Sequence, residues 1–160
     1  MRTLVKGRWF VVILTLCACV AFAMSVQGGQ WWVIGNAEVG PFGAKRCFED
    51  GCTPTGLGWL GADERWMRIG MGTWAGGLIS VFVLIVMAGA IAAKRIPKLA
   101  AKTALVAIAT VTLAGMWFVV QFPRETHAAA ELSRGAILFV VAIVLGVASA
   151  IWVLRGKPLS

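Results

Sequence analysis

The sequence predicts an all-α membrane protein: a bundle of four transmembrane helices carrying a small disulfide-stapled antiparallel β-sheet in its first outer loop. Three observations predict it. Of the 160 residues, 59% are hydrophobic and 14% charged, whereas a soluble domain is about 45–50% apolar and roughly 25% charged. Four apolar runs approach or exceed the ~20 residues that a membrane crossing requires, and none of them contains Asp, Glu, Lys, Arg or His. Two cysteines, Cys47 and Cys52, flank a turn signal in the longest connection between those runs. The same composition excludes a disordered chain, which lacks the apolar groups that fill this one.

The four runs extend over about 9–27, 69–93, 103–122 and 136–154. In hydrocarbon each backbone N–H and C=O must find its partner within the segment, so isolated runs of this length are helices. Arg2, Lys6 and Arg8 before the first run, and the small-residue stretch Ala21-Phe22-Ala23, also suit a signal peptide. The length of the apolar run favours a retained helix. The chain therefore reads as one four-helix membrane domain over 1–160, with an outer-loop subdomain over 28–68.

Basic residues orient it. With the N-terminus in the cytoplasm, Arg2, Lys6, Arg8, Lys94, Arg95, Lys98, Lys102, Arg155 and Lys157 lie inside, and no acidic residue accompanies them. All seven acidic residues fall outside, with Lys45, Arg46, Arg65, Arg68, Arg124 and Arg134. Both termini are thus expected in the cytoplasm, with the long first loop extracellular or periplasmic and the protein in the plasma (inner) membrane. The net charge of +8 then serves topology and anionic headgroups rather than nucleic acid, since no basic patch interleaved with aromatics occurs. Trp9 and Trp152 at the cytoplasmic ends, and Trp74, Trp117, Phe118 and Phe122 toward the outer ends, are placed for the headgroup level.

The outer loop has its own pattern. Trp31-Trp32-Val33-Ile34 is β-branched and aromatic, with Gly28-Gly29 before it and Gly35-Asn36 after it, which marks a strand between turns. Val39 to Phe48 is a weaker strand signal, interrupted by Pro41 and Gly43. Asp50-Gly51 is a turn, and a cysteine on either side of it suits two antiparallel strands closed by a disulfide. A unit of about 40 residues has little core of its own and needs such a staple, and an exoplasmic location permits it. Cys17 and Cys19 lie mid-span, two apart and so on different helix faces, and read as small apolar side chains.

Chemistry-bearing residues are sparse. His127 is the only histidine, near Glu125 and Glu131, and zinc sites call for three or four ligands, so it reads as a solvated loop residue. Asp63-Glu64 reads as a solvated run before the second helix. No catalytic set, metal site or cofactor is implied. Spans free of ionisable groups argue against a monomeric ion-coupled transporter. Small residues recur at four-residue spacing, Gly72, Gly76 and Ser80 on the second helix and Ala142, Gly146 and Ala150 on the fourth. Such rows pack helices closely, within the bundle or against another protein.

Together these features resemble the claudin, peripheral myelin protein and calcium-channel gamma-subunit group of four-helix membrane proteins. Trp31 or Trp32 matches the tryptophan of that group's first-loop motif, Phe42 the aromatic of its Gly-Leu-Trp element, and Cys47 with Cys52 its disulfide. Arg65 or Arg68 matches an arginine at the outer mouth of the second helix. Gly40-Pro41-Phe42 departs from Gly-Leu-Trp, and the cysteines stand closer together than the pattern has them. The resemblance implies a left-handed bundle with an antiparallel sheet on top, and Trp31 and Trp32 anchoring that sheet to the membrane surface. It implies adhesion, barrier formation or service as an accessory subunit.

The expected function is accordingly non-enzymatic. The partners are the lipid bilayer and other membrane proteins or further copies of the chain, met through the outer loop or through helices two and four. Two rival readings are a small oligomeric channel or carrier and a quinone-coupled thiol-disulfide oxidoreductase. The second is disfavoured by a Cys-x4-Cys spacing, and by Glu49 and Asp50 opposing the thiolate that Lys45 and Arg46 would favour.

Overall fold

The computed structural model describes residues 2–27, 30–95, 97–123 and 130–155, with side chains in the first helix described from Gly7 onward. Four helices form the bundle: α1 (Arg2–Gln27), α2 (Glu64–Ala92), α3 (Lys98–Val120) and α4 (Arg134–Arg155). Each is long and apolar enough to cross a membrane, so the protein is an integral, multi-pass membrane protein. Each helix packs on its neighbours in a closed ring, α1 on α2, α2 on α3, α3 on α4, and α4 back on α1.

The buried positions show why these sequences make a bundle. On α2 they include Trp66, Gly70, Thr73, Gly77, Ser80, Leu84, Met87 and Ile91, and on α3 they are Ala101, Ala104, Ile108, Val111, Gly115 and Phe118. On α4 they include Gly135, Phe139, Ala142, Gly146, Ser149 and Val153. Steps of three and four alternate, giving a mean repeat of about 3.5 residues, the period that keeps one seam facing its neighbours. The small-residue row on α2 divides between two faces. Every four-residue step turns about 40° around a helix, so Gly72 rotates out of the seam that holds Ser80. Gly72 is exposed with open space where a side chain would begin, Gly76 sits at the seam's edge against Val111, and Gly77 takes the close contact with Val26. On α4 the row holds, with Ala142, Gly146 and Ala150 all buried inside the bundle.

Most polar side chains in the seams satisfy themselves locally, whereas the buried Ser25 of α1 donates across to the Gly135 carbonyl of α4 at 2.8 Å. Thr15 donates to the Val11 carbonyl, Thr73 to Ile69, Ser80 to Gly76 and Ser149 to Gly146, at 2.7–3.0 Å. A hydroxyl bonded this way leaves no unpaired group in an apolar interior. Cys19 is buried and Cys17 exposed on the outer surface of α1.

At one end of the bundle lies a five-stranded antiparallel sheet, in the order β4-β3-β2-β1-β5. Its strands are β1 (Trp32–Ile34), β2 (Ala37–Val39), β3 (Ala44–Phe48), β4 (Gly51–Thr55) and β5 (Glu131–Leu132). The weak stretch from Val39 to Phe48 is in fact two strands, separated by a turn in which Gly40 and Gly43 exchange backbone hydrogen bonds of 2.8 and 3.2 Å. Gly35, at φ +58°, makes the tight turn into β2, a backbone conformation that a side chain disfavours. The β3–β4 hairpin places Cys47 directly opposite Cys52, and the two are disulfide-bonded. The fifth strand comes from the α3–α4 connection, so both connections at this end share one sheet.

Replacing Cys47 and Cys52 together by Ser removes a six-residue covalent loop, worth roughly 2 kcal/mol to the hairpin. Amides of β3 and β4 should then exchange faster in hydrogen–deuterium exchange while mid-span amides keep their protection. An equal rise along the helices would contradict a staple confined to the sheet.

Candidate functional site

The sheet end is where the clefts and a polar side-chain network converge, and Trp31 holds it to the bundle. Trp31 is 1% exposed. Its indole N–H donates to the Ser25 carbonyl of α1 at 3.0 Å, its backbone N–H to Val39 at 2.8 Å, and its carbonyl accepts from Ser133 at 2.8 Å. Its ring meets Phe139 of α4 at 4.8 Å and Phe118 of α3 at 5.8 Å between centroids. Trp32 is equally buried, stacked on Phe122 at 4.4 Å and close to Trp66 of α2 at 6.2 Å. Trp66 stacks on Phe118 at 4.4 Å and donates to its carbonyl at 2.8 Å.

Trp31 and Trp32 therefore anchor the sheet to the bundle interior, not to the membrane surface. Phe118 and Phe122, expected at headgroup level, belong to the same cluster and are buried. The reason is packing: a sheet this small has no core of its own, and adjacent tryptophans that reach different helices supply one. Glycines permit the approach. A side chain at Gly135 would begin 2.7 Å from the Gln30 carbonyl, and one at Gly115 2.7 Å from the Phe139 ring and 3.3 Å from Trp31.

The other motif residues lie around this cluster. Asn36 is exposed in the β1–β2 turn, and its carbonyl accepts from Cys47 at 2.8 Å. Phe42 is 58% exposed, with its ring 4.9 Å from Trp74 on α2. Phe48 and Leu132 are exposed as well. Arg68 stays at the surface, paired at 2.7 Å with Glu64 one turn earlier, a contact that contributes little because both groups are solvated. Asp63 and Glu64 are both exposed; Asp63 occupies the N-cap position of α2 and Glu64 its first turn, where a negative charge suits the helix dipole. The helix starts early because Trp66, buried at 2% exposure, requires the helical turn that brings it to the cluster.

A polar network that the sequence did not reveal spans the sheet and α4. Glu38 and Lys45 are directly opposed on β2 and β3 and form an ion pair of 3.0 Å. Gln30 donates to Glu38 at 2.7 Å, and Arg134 donates from Nε to the Gln30 side-chain oxygen. The Glu38–Lys45 pairing follows from strand register once the hairpin is known. Arg134 has no signal in sequence, being 104 residues from Gln30. Burial alone would raise the Glu38 pKa; hydrogen bonds from Lys45 and Gln30, with the charges of Lys45 and Arg134, outweigh it and hold the carboxyl below its ordinary 4.5. Elsewhere the Arg46 guanidinium lies 4.8 Å over the Trp59 ring.

Two open clefts meet at Gln27 and Lys45. One, of about 520 Å³, runs between α1, α4 and the sheet, past Ala23, Met24, Arg134 and Leu138. The other, of about 340 Å³, lies beneath β3 and β4 beside Phe42 and Thr55. Among the described residues, no cluster of three or more His, Cys, Asp or Glu could hold a metal ion. His127 and Glu125 lie outside the described residues, and Glu131 is exposed on β5. No protein-family model matches the chain, and no curated protein matches it.

The depressed Glu38 pKa sets an acid dependence. Its contribution to sheet stability is complete above the ordinary carboxylate value and is lost as pH falls through the lower value of the folded state. Thermal melts followed by sheet-specific exchange should show wild type losing stability from just below pH 4.5 downward, a step that Glu38→Gln abolishes. Identical acid profiles for the two proteins would remove Glu38 from the account.

Proposed function

We propose that the protein is a non-enzymatic membrane scaffold whose sheet binds other proteins, as an adhesion or barrier component or as an accessory subunit of a membrane complex. The observation that carries this reading is the mode of attachment of the sheet. An aromatic cluster drawn from α2, α3 and α4 seizes β1 and its neighbour Trp31, so the platform is rigid relative to the spans. A rigid surface loses little conformational freedom when it binds, which favours recognition. Its far side remains available: β4 is an edge strand exposed over most of its length, and Phe48 is 60% exposed beside it. Exposed aromatics on a polar rim suit protein contact.

The bundle supports the same reading. Its seams are filled by Phe22, Leu84, Met87, Ile108 and Val111, and their hydroxyls bond to backbone carbonyls, Thr15, Thr73, Ser80 and Ser149 within their own helices and Ser25 across to α4. The distribution of basic residues supports an exoplasmic sheet and cytoplasmic termini. The resemblance to the claudin-like group supports adhesion or accessory-subunit service in particular.

Cross-linking in intact membranes, followed by native mass spectrometry from mild detergent, tests the proposal. The expected result is a complex containing a second protein or a second copy of the chain. Phe48→Ser should cut its yield about tenfold while leaving the fold intact. Bare monomer in wild type would overturn the reading.

A further inference from the structure

We propose that the larger cleft is a binding site for an acidic glycerophospholipid of the leaflet on the sheet side, its phosphate held by Lys45 and Arg134 and an acyl chain lying along Ala23, Met24 and Leu138. The cleft is amphipathic in the direction a bilayer requires. Ala23 and Met24 of α1 and Leu138 of α4 line its apolar part, and all three belong to membrane-spanning helices. Gln27, Lys45 and Arg134 line its polar part, where those helices meet the sheet.

Charge chooses among lipids. Two cations face the cleft, and one carboxylate, Glu38, lies 3.0 Å from Lys45, leaving a net charge of one positive. Arg134 spends Nε on Gln30; its terminal amino groups have no partner among the described residues. A guanidinium edge matches phosphate oxygens. Open volume of about 520 Å³ accommodates a headgroup and the first part of a chain. Glu38 competes with the phosphate for Lys45, and this makes the site tunable. The inference stands apart from the scaffold proposal, since it needs only the spans and the cleft.

The test is native mass spectrometry of the intact chain released from nanodiscs containing equal phosphatidylglycerol and phosphatidylcholine. One net positive charge at a membrane surface favours the acidic lipid by about fivefold, and that preference is expected of wild type. Glu38→Gln should raise it severalfold, a gain that a merely structural ion pair would not give. Arg134→Gln should abolish it. Ala23→Phe should abolish it too, by filling the apolar part without altering charge, and circular dichroism with thermal melting confirms that each variant is folded. Soluble glycerol phosphate provides the last arm: displacement of the lipid by it at comparable concentration would mean a phosphate site without a lipid. That result, or equal retention of both lipids by wild type, or a Glu38→Gln protein with weakened preference, would overturn the proposal.

Discussion

The burial of Trp31 is the contact on which the rest of the structure depends. One side chain and its backbone join α1 through Ser25, the sheet through Val39, the second connection through Ser133, and α3 and α4 through Phe118 and Phe139. In a bilayer, helix association draws little on the hydrophobic effect because lipid tails are as apolar as the side chains. At the sheet end water is present, and burying an indole there has its full value. The sheet thus caps the bundle at the place where the hydrophobic effect is strongest.

That arrangement explains the glycines. Gly70, Gly115 and Gly135 lie where a Cβ would meet the Pro41 carbonyl, the Phe139 ring or the Gln30 carbonyl within 2.7 Å. They let irregular backbone and broad rings sit against helices at close range. Deeper in the bundle the seams alternate three- and four-residue steps and are rich in small residues, among them Gly77, Ser80, Ala101, Ala104, Ala142, Gly146 and Ser149.

Much of this was legible in the chain. The spans were readable because charge is absent over a membrane's thickness, and the disulfide because Asp50-Gly51 separates two cysteines at hairpin distance. Helix ends were less readable: α2 begins at Glu64, where charged residues hid a turn that Trp66 needs. The inward course of Trp31 and Trp32 was not readable, since an indole suits both a headgroup layer and a core, and only tertiary packing chooses between them. β5, two residues long, is too short for any periodicity. The Gln30–Glu38–Lys45–Arg134 network joins segments far apart in sequence, and Gly72 faces outward because a strict four-residue step drifts around the helix.

The functional reading rests on rigidity. A sheet hung on flexible connections would be a tether, whereas one gripped by three helices is a surface with fixed orientation to the membrane. The most direct measurement is hydrogen–deuterium exchange on the full chain in nanodiscs, comparing wild type with Trp31→Ala. Loss of a buried tryptophan costs about 3–5 kcal/mol. Amides of β1 and β2 are therefore expected to exchange about 100-fold faster or more, with mid-span amides of α2 and α4 unchanged. Sheet protection equal to wild type would show that the platform is held by something other than this residue.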